Sequence, residues 1–498
     1  MLPYVAALVA VALLWVYLKW QKTSRFWADR GVPHDKPHPI YGSLTFLQKK
    51  NPAHFMIDLR NRFQAKYVGI WLFWRPSLVV NSPELARNIL TKHADNFRNR
   101  YLGSGPSDPI GALNLFTVND PTWSWLRRRL TSMFTSAKLK ALQGLFVKKS
   151  KELVTRIDSG LEAKKDIEIR NMFADYTTDV IGAAAFGLHC DATLTGESPM
   201  RTVTKSFMEY SYYRGLNWIA IFFFPELVET FRFRFFPKTA EDYFKKVYKA
   251  IVKERGYNPN SEPKDLLDAL LKMKHEAIEN NEEISDDLVI AQAAVFLQGG
   301  FDTSAVMLSY LTYELAFHQE AQEKMYQELL EAKNKLGPDQ EFDGAFLSEL
   351  PYLNAVMKES LRKYPPMGWL DRISEHEYQV DDDLTIPAGT PVYVNAVGMH
   401  FDPEFFPEPD KFIPERFLPE NMKDNLAFAY MPFGEGPRNC IGMRFAHRAI
   451  WYALSTIFLK YKVFPKPNAK KPHEIVAEKN AIFLMPGEDI YVDFVPRN

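Results

Sequence analysis

Cysteine is almost missing from this chain: 498 residues contain only Cys190 and Cys440. A disulfide-built scaffold is therefore excluded. An excess of charge of one sign is also missing, with 61 basic residues against 61 acidic, and no long basic stripe occurs. Both absences argue against a nucleic-acid-binding protein. No internal repeat or low-complexity tract divides the chain, and no Gly-x-Gly-x-x-Gly strand-turn-helix offers a dinucleotide site. What is present is a hydrophobic content of 46%, enough for one large core.

One of the two cysteines lies in the most informative stretch, Phe433-Gly434-Glu435-Gly436-Pro437-Arg438-Asn439-Cys440-Ile441-Gly442. A cysteine that ligates iron as an anion needs backbone N–H groups at its sulfur, a nearby cation and cover from water. This stretch can supply all three. Gly434 and Gly436 permit a tight turn and close approach to a flat cofactor, and Gly442 leaves room behind the sulfur. Phe433 can shield the sulfur, and Arg438 can pair a carboxylate. For the Gly-x-Gly turn alone, a surface loop around a buried structural cysteine is the simpler reading. The full spacing Phe-x-x-Gly-x-Arg-x-Cys-x-Gly resembles the haem-ligand signature of the cytochrome P450 haem-thiolate monooxygenases. The resemblance implies haem b as cofactor and Cys440 as its metal ligand.

Other segments carry the same resemblance. Glu359-Ser360-Leu361-Arg362 places an acid and a base one helical turn apart, and Arg416 follows in Phe412-Ile413-Pro414-Glu415-Arg416-Phe417. In the resembled family such a Glu, Arg and later Arg form a buried structural network. A helix is expected from Asp286 to Phe317, with apolar residues at helical spacing and Gly299-Gly300-Phe301-Asp302-Thr303-Ser304 in its middle. Two glycines there cost roughly 1 kcal/mol each against Ala; close approach to a haem face, or a packing notch for another helix, would offset them. The resemblance gives Thr303 and Asp302 the task of delivering protons. Trp123-Ser124-Trp125-Leu126-Arg127-Arg128-Arg129 offers two Trp–Arg pairs at one spacing. The family pattern favours Trp123 and Arg127 as a carboxylate anchor over Trp125 and Arg129. Arg372, where the family begins a strand, is the other expected anchor. Substrate contacts are expected from Phe116, Phe296, Phe301, Thr303, Met367 and Phe483. Core packing is the competing reading for each, and for Cys190.

The amino terminus carries a localisation signal. Leu2 to Leu18 is uncharged, at the short end of the range for a membrane-spanning helix. No basic residue precedes it and no small-x-small site closes it, which disfavours a cleaved signal peptide. Lys19, Lys22 and Arg25 then place the following domain on the cytosolic side. The expected organisation is an anchor at 1–20, a basic and proline-rich hinge at 21–40, and a haem-binding monooxygenase domain at 41–498. The aromatic–arginine segments Ile221–Pro225 and Phe231–Pro237 fit either core packing or a second membrane contact.

Strand-like runs are confined mainly to Tyr67–Asn81, Tyr378–Val394 and the last thirty residues, so the expected fold is mostly α with small β-sheets. The family pattern spans roughly Gly31 to the end, and Gly31-Val32-Pro33, Phe134-Thr135-Ser136 and Tyr313-Glu314-Leu315-Ala316 look most like insect microsomal enzymes acting on xenobiotics. The resemblance implies oxygen insertion into an apolar small molecule at the endoplasmic reticulum membrane. Electrons would come from an NADPH-dependent flavoprotein reductase, with cytochrome b5 a further donor, and Arg128, Arg129, Arg444 and Arg448 could dock the reductase. A haem-thiolate peroxide isomerase and a haem-based ligand sensor are the rival readings.

Overall fold

The fold, from a computed structural model, describes residues 2–207, 209–255, 263–337, 340–422, 426 and 428–497. The termini of the expected organisation, Met1 and Asn498, lie outside them; every expected site residue lies within. Helices dominate, and the longest, Asp286–Phe317, runs through the core. The Ser285 side chain caps its start by accepting the Leu288 N–H, and Asp286 and Asp287 follow in the first turn, where they complement the helix dipole. From Val289 onward it is buried on nearly every side, as expected of a helix surrounded by others. It ends at His318, whose non-helical backbone (φ −109°, ψ 70°) separates it from the next helix, Gln319–Asn334.

Gly300 makes the closest helix–helix approach possible. A Cβ there would stand 2.7 Å from Ile181 Cγ1, on helix Ile169–Phe186, whereas a Cβ at Gly299 would meet nothing within 4 Å. The glycine pair thus divides its work: one residue is a notch for a neighbouring helix, the other leaves space.

The sheets are small. The main one orders Tyr67–Leu72, Arg75–Val80, Pro391–Val394 and Leu370–Ile373, with the central pair parallel and the outer pairs antiparallel. Alternation along Leu370–Ile373 sets Leu370 and Arg372 on one face. Ile167–Glu168, Tyr491–Pro496 and Tyr461–Pro465 form a second sheet, of which only Tyr491–Pro496 falls in the expected strand regions.

Glu359 and Arg362 lie on helix Pro351–Lys363 with fully buried side chains. Arg362 donates from Nε and Nη2 to the two Glu359 oxygens at 2.8 and 2.9 Å, and Arg416 Nε reaches Oε1 at 3.3 Å. The remaining Arg362 donors bond the carbonyls of His400, Pro409 and Lys411. His400, also fully buried, extends the network: its Nδ1 bonds the Arg362 carbonyl at 3.0 Å while its Nε2 accepts the Met431 N–H at 3.1 Å. Burial and the Arg362 charge push its pKa down to about 3, so the ring stays neutral and able to accept. The helix carrying Glu359 is in this way tied to the start of the cysteine loop.

Helix Leu2–Ser24 stands out from the body with exposed apolar side chains such as Leu8, Val11 and Trp15. It is long and apolar enough to cross a membrane, with mean hydropathy 1.6 in its apolar window. The segment after it is not a free spacer. Trp27 is fully buried and donates to the Ile70 carbonyl at 3.0 Å, and Trp71 Nε1 donates back to the Thr23 carbonyl at 2.9 Å. Two indole N–H groups need partners when buried, and they draw the expected hinge onto the first strand.

Arg362→Ala would leave Glu359 as a buried carboxylate with its main partner gone. We expect a loss of about 3–5 kcal/mol, measured as a lowered urea midpoint, while Arg416→Ala, at the longer 3.3 Å contact where the side chain is 13% exposed, loses less.

Candidate functional site

A cavity of about 290 Å³ lies between the long helix and the cysteine loop. One wall is a face of the helix, from Val295 and Phe296 through Gly299, Thr303 and Met307; another is the loop from Pro432 to Gly442. Of the two cysteines, only Cys440 faces this space. Its side chain is accessible, but to the cavity rather than to the outer surface. Cys190 is buried elsewhere, with its carbonyl held by Lys149 Nζ at 2.7 Å, a packing role.

The loop turns through Gly434 and Gly436, both at positive φ (71° and 72°). Gly436 is needed for protein packing, not cofactor approach: a Cβ there would sit 1.8 Å from the Leu90 carbonyl oxygen. Gly442 has an ordinary φ of −91° and precedes helix Met443–Lys460, so the Cys440 sulfur lies at a helix N-terminus. Burial raises the thiol pKa; the N–H groups of Gly442 and Met443 and the charges of Arg127 and Arg100 oppose it. These are the donors and cations that favour a thiolate over a thiol. Phe433 lines the cavity beside the sulfur and rests on the His447 ring at 5.0 Å.

The two Trp–Arg pairs occupy different places. Trp123 and Arg127 line the cavity. Arg129 instead stacks on Trp125 at 3.9 Å, and both donate to Glu282. Arg127 holds the cysteine loop itself, donating to the Asn439 carbonyl at 2.9 Å and to Asn439 Oδ1 at 2.6 Å. Trp123 carries the Arg438 guanidinium over its ring at 4.2 Å.

Arg438 and Arg372 belong to a buried basic cluster completed by Arg100 and Arg127. Burial, with the neighbouring charges of Arg100 and Arg372, pushes the Arg438 pKa down to about 8; burial and Arg100 push Arg372 to about 9. The nearest compensation is Asp371, 3.4 Å from Arg100, and that carboxylate already accepts the Tyr101 and Leu102 N–H groups. Among the described residues, no carboxylate lies within 4.0 Å of Arg127, Arg372 or Arg438. Such an excess of buried positive charge calls for an anion. Arg372 does not itself line the cavity, although Leu370, two residues before it on the same strand face, does.

Thr303 faces the cavity and donates its hydroxyl proton to the Gly299 carbonyl at 2.6 Å, leaving its oxygen free to accept. Asp302 does not line the cavity: one residue along a helix is a turn of about 100°. It is buried, its Oδ1 has no partner, and burial pushes its pKa up to about 6 against the opposing charges of Arg170 and Arg201. Phe301 is a correction to the expected substrate contacts. Two residues from Thr303, it faces away from the cavity, fully buried with its ring 6.0 Å from Phe207. Phe116, Phe296, Met367 and Phe483 all line the cavity. Sequence reasoning missed Arg100, Phe235 and Asn439 there; only Asn439, inside the cysteine motif, carried a local signal.

The family model for cytochrome P450 matches residues 32–494. This chain belongs to the cytochrome P450 family. Among its relatives, cytochrome P450 6k1 of Blattella germanica is 32% identical, covering 97% of this chain and 95% of the relative. Cytochrome P450 6j1 of the same insect is 31% identical over 97% and 96%, and probable cytochrome P450 6g2 of Drosophila melanogaster 30% identical over 99% and 98%. A cytochrome P450 is a haem-dependent monooxygenase with a cysteine thiolate on the iron, and the residues present fit that group. The only cavity-facing cysteine sits at a helix N-terminus, and the uncompensated guanidiniums beside it match a cofactor bearing carboxylates.

The Asp302 pKa sets a pH signature. A carboxyl raised from 3.8 to about 6 favours the folded state below the unfolded value and loses that contribution as pH rises through 6. Asp302→Asn is therefore expected to stabilise the protein by up to about 3 kcal/mol at pH 7.5 and by little at pH 4. Urea unfolding at the two pH values measures the difference; a gain independent of pH would contradict an ionisation origin.

Proposed function

We propose that this cytochrome P450 inserts one oxygen atom of dioxygen into an apolar small molecule, using electrons from NADPH delivered by a separate flavoprotein reductase. The observation that carries the reading is the largely aromatic and aliphatic cavity between Thr303 and Cys440. Cys440 is the proposed iron ligand, with Gly442 leaving room beside it, and Trp123, Arg127, Arg372 and Arg438 hold the carboxylates of a haem b. The haem supplies dioxygen binding and activation. Thr303 Oγ1 accepts a hydrogen bond at the cavity face, and Asp302, titrating near neutrality, replenishes protons from behind the helix. Phe116, Phe296, Met367 and Phe483 exclude water and orient the apolar substrate; plant toxins, insecticides and endogenous lipid-like compounds share that chemistry. Glu359, Arg362 and Arg416 are structural.

Helix Leu2–Ser24 supports retention at the endoplasmic reticulum membrane, with Lys19, Lys22 and Arg25 on the cytosolic side. In the aromatic segments Ile221–Pro225 and Phe231–Pro237, Ile221, Phe222, Phe223, Phe235 and Phe236 are buried core, and Phe231 is exposed. Purified protein with reductase and NADPH should consume dioxygen in step with apolar substrate. Turnover of a hydroperoxide with no need for reductase would indicate an isomerase, and ligand binding without dioxygen consumption a sensor.

Docking of the reductase, or of cytochrome b5, falls to Arg128 and Arg444. Both are exposed beside the cysteine segment, whereas Arg129 is occupied by Glu282 and Arg448 lies half-buried against Gly344. Reversing Arg128 and Arg444 to Glu should slow reduction by the reductase by about tenfold or more at low salt and leave peroxide-driven turnover unchanged. Stopped-flow reduction checks this, and equal loss of both activities would refute it.

A further inference from the structure

Phe235 is the cavity-wall residue whose position depends most on distant parts of the chain. It lies in the irregular link between helices Val228–Phe231 and Lys238–Arg255, so no element of its own fixes it. Two segments, the turn carrying Asp108 and helix Tyr212–Phe223, converge on the backbone of Arg234 and Phe235. Asp108 Oδ2 accepts the Phe235 N–H at 2.6 Å, and Arg214 Nη2 donates to the Phe235 carbonyl. Arg214 Nη1 also donates to the Arg234 carbonyl at 2.7 Å, and Asn217 Oδ1 accepts the Arg234 N–H at 2.6 Å.

Asp108 is fully buried and Arg214 is 8% exposed. Buried opposite charges ordinarily pair with one another. These two form no ion pair among the described residues; each spends its charge on one end of the Arg234–Phe235 peptide, Asp108 at the Phe235 N–H and Arg214 at the Arg234 C=O, a charge-assisted bond at both ends. Asp108 further accepts Ser104 Oγ at 3.0 Å and the Gly111 N–H at 3.2 Å. The fit leaves no slack: a Cβ at Gly111 would stand 2.0 Å from Asp108 Oδ2 and 2.6 Å from the Phe235 Cβ. The clamped ring packs on Trp218 at 4.8 Å and faces Phe116, another wall residue, at 6.3 Å.

We propose that Asp108 and Arg214 are positioning residues that clamp the Phe235 peptide, and that the ring so fixed determines which bulky apolar groups the cavity accepts. The proposal rests on the reading of this cavity as the substrate space above a haem. Three consequences follow. Loss of the clamp spares small ligands and penalises large ones, frees the backbone of 232–237, and is relieved by any side chain that still accepts from the Phe235 N–H.

The test uses haem-loaded protein and two azole probes that ligate iron, imidazole and 4-phenylimidazole, with affinity read from the Soret shift. In Asp108→Leu the 4-phenylimidazole Kd should rise about tenfold, imidazole should stay within about twofold, and amides of 232–237 should exchange hydrogen about tenfold faster. Asp108→Asn, whose amide oxygen still accepts, should restore most of each. If Asp108→Leu fails to hold haem, Phe235→Leu keeps the clamp intact and should reproduce the selective loss of 4-phenylimidazole. Parallel changes for both azoles, or unaltered exchange at 232–237, would overturn the clamp. A wild-type Soret band unmoved by imidazole would overturn the cavity reading and the clamp with it.

Discussion

The structure depends on an electrostatic imbalance inside the fold. Arg100, Arg127 and Arg438 line the cavity with Arg372 buried near them, and Asp371 is the carboxylate that meets them, at Arg100. Buried like charges repel and are poorly solvated, so the protein alone leaves this region unsatisfied. Under the proposed function the carboxylates of a haem would answer that imbalance, and two of the guanidiniums, Arg127 and Arg100, would also lower the energy of a thiolate at Cys440.

That arrangement needs a rigid frame, which the Glu359–Arg362–Arg416 network supplies. Arg362 gathers the carbonyls of 400, 409 and 411 around one guanidinium, and His400 passes the constraint to Met431 at the head of the cysteine loop. From the other side, Arg127 grips Asn439 within the loop. The long helix faces the loop across the cavity, held close to helix Ile169–Phe186 by the missing side chain at Gly300. The space left at Gly299 and the outward-facing oxygen of Thr303 are products of the same packing.

Much of this was legible in the residues. Cys440 was readable because the loop geometry and the sulfur environment are set by residues adjacent in the chain. The long helix was readable from Asp286 to Phe317, since its apolar residues recur at helical spacing. The pairing of Trp123 with Arg127 was not legible from spacing, because Trp125 and Arg129 repeat it; Glu282, far away in sequence, separates them in space. Phe301 was misplaced by proximity to a motif, where helical phase decides facing. The roles of Arg100, Phe235 and His400 were not legible locally, as each depends on a partner far away in sequence: Asp371, Asp108 and Arg362 in turn. The Tyr461–Pro465 strand escaped for a related reason, its pairing with Tyr491–Pro496 being non-local.

The central claim is that Cys440 ligates a haem as a thiolate in this cavity. The most direct test is the reduced carbon-monoxide difference spectrum of the purified protein beside a Cys440→Ser variant. The account predicts the red-shifted Soret band of a thiolate-ligated haem in the native protein and its loss in the variant. A native band at the position given by histidine-ligated haem, or a red-shifted band that survives the substitution, would contradict it.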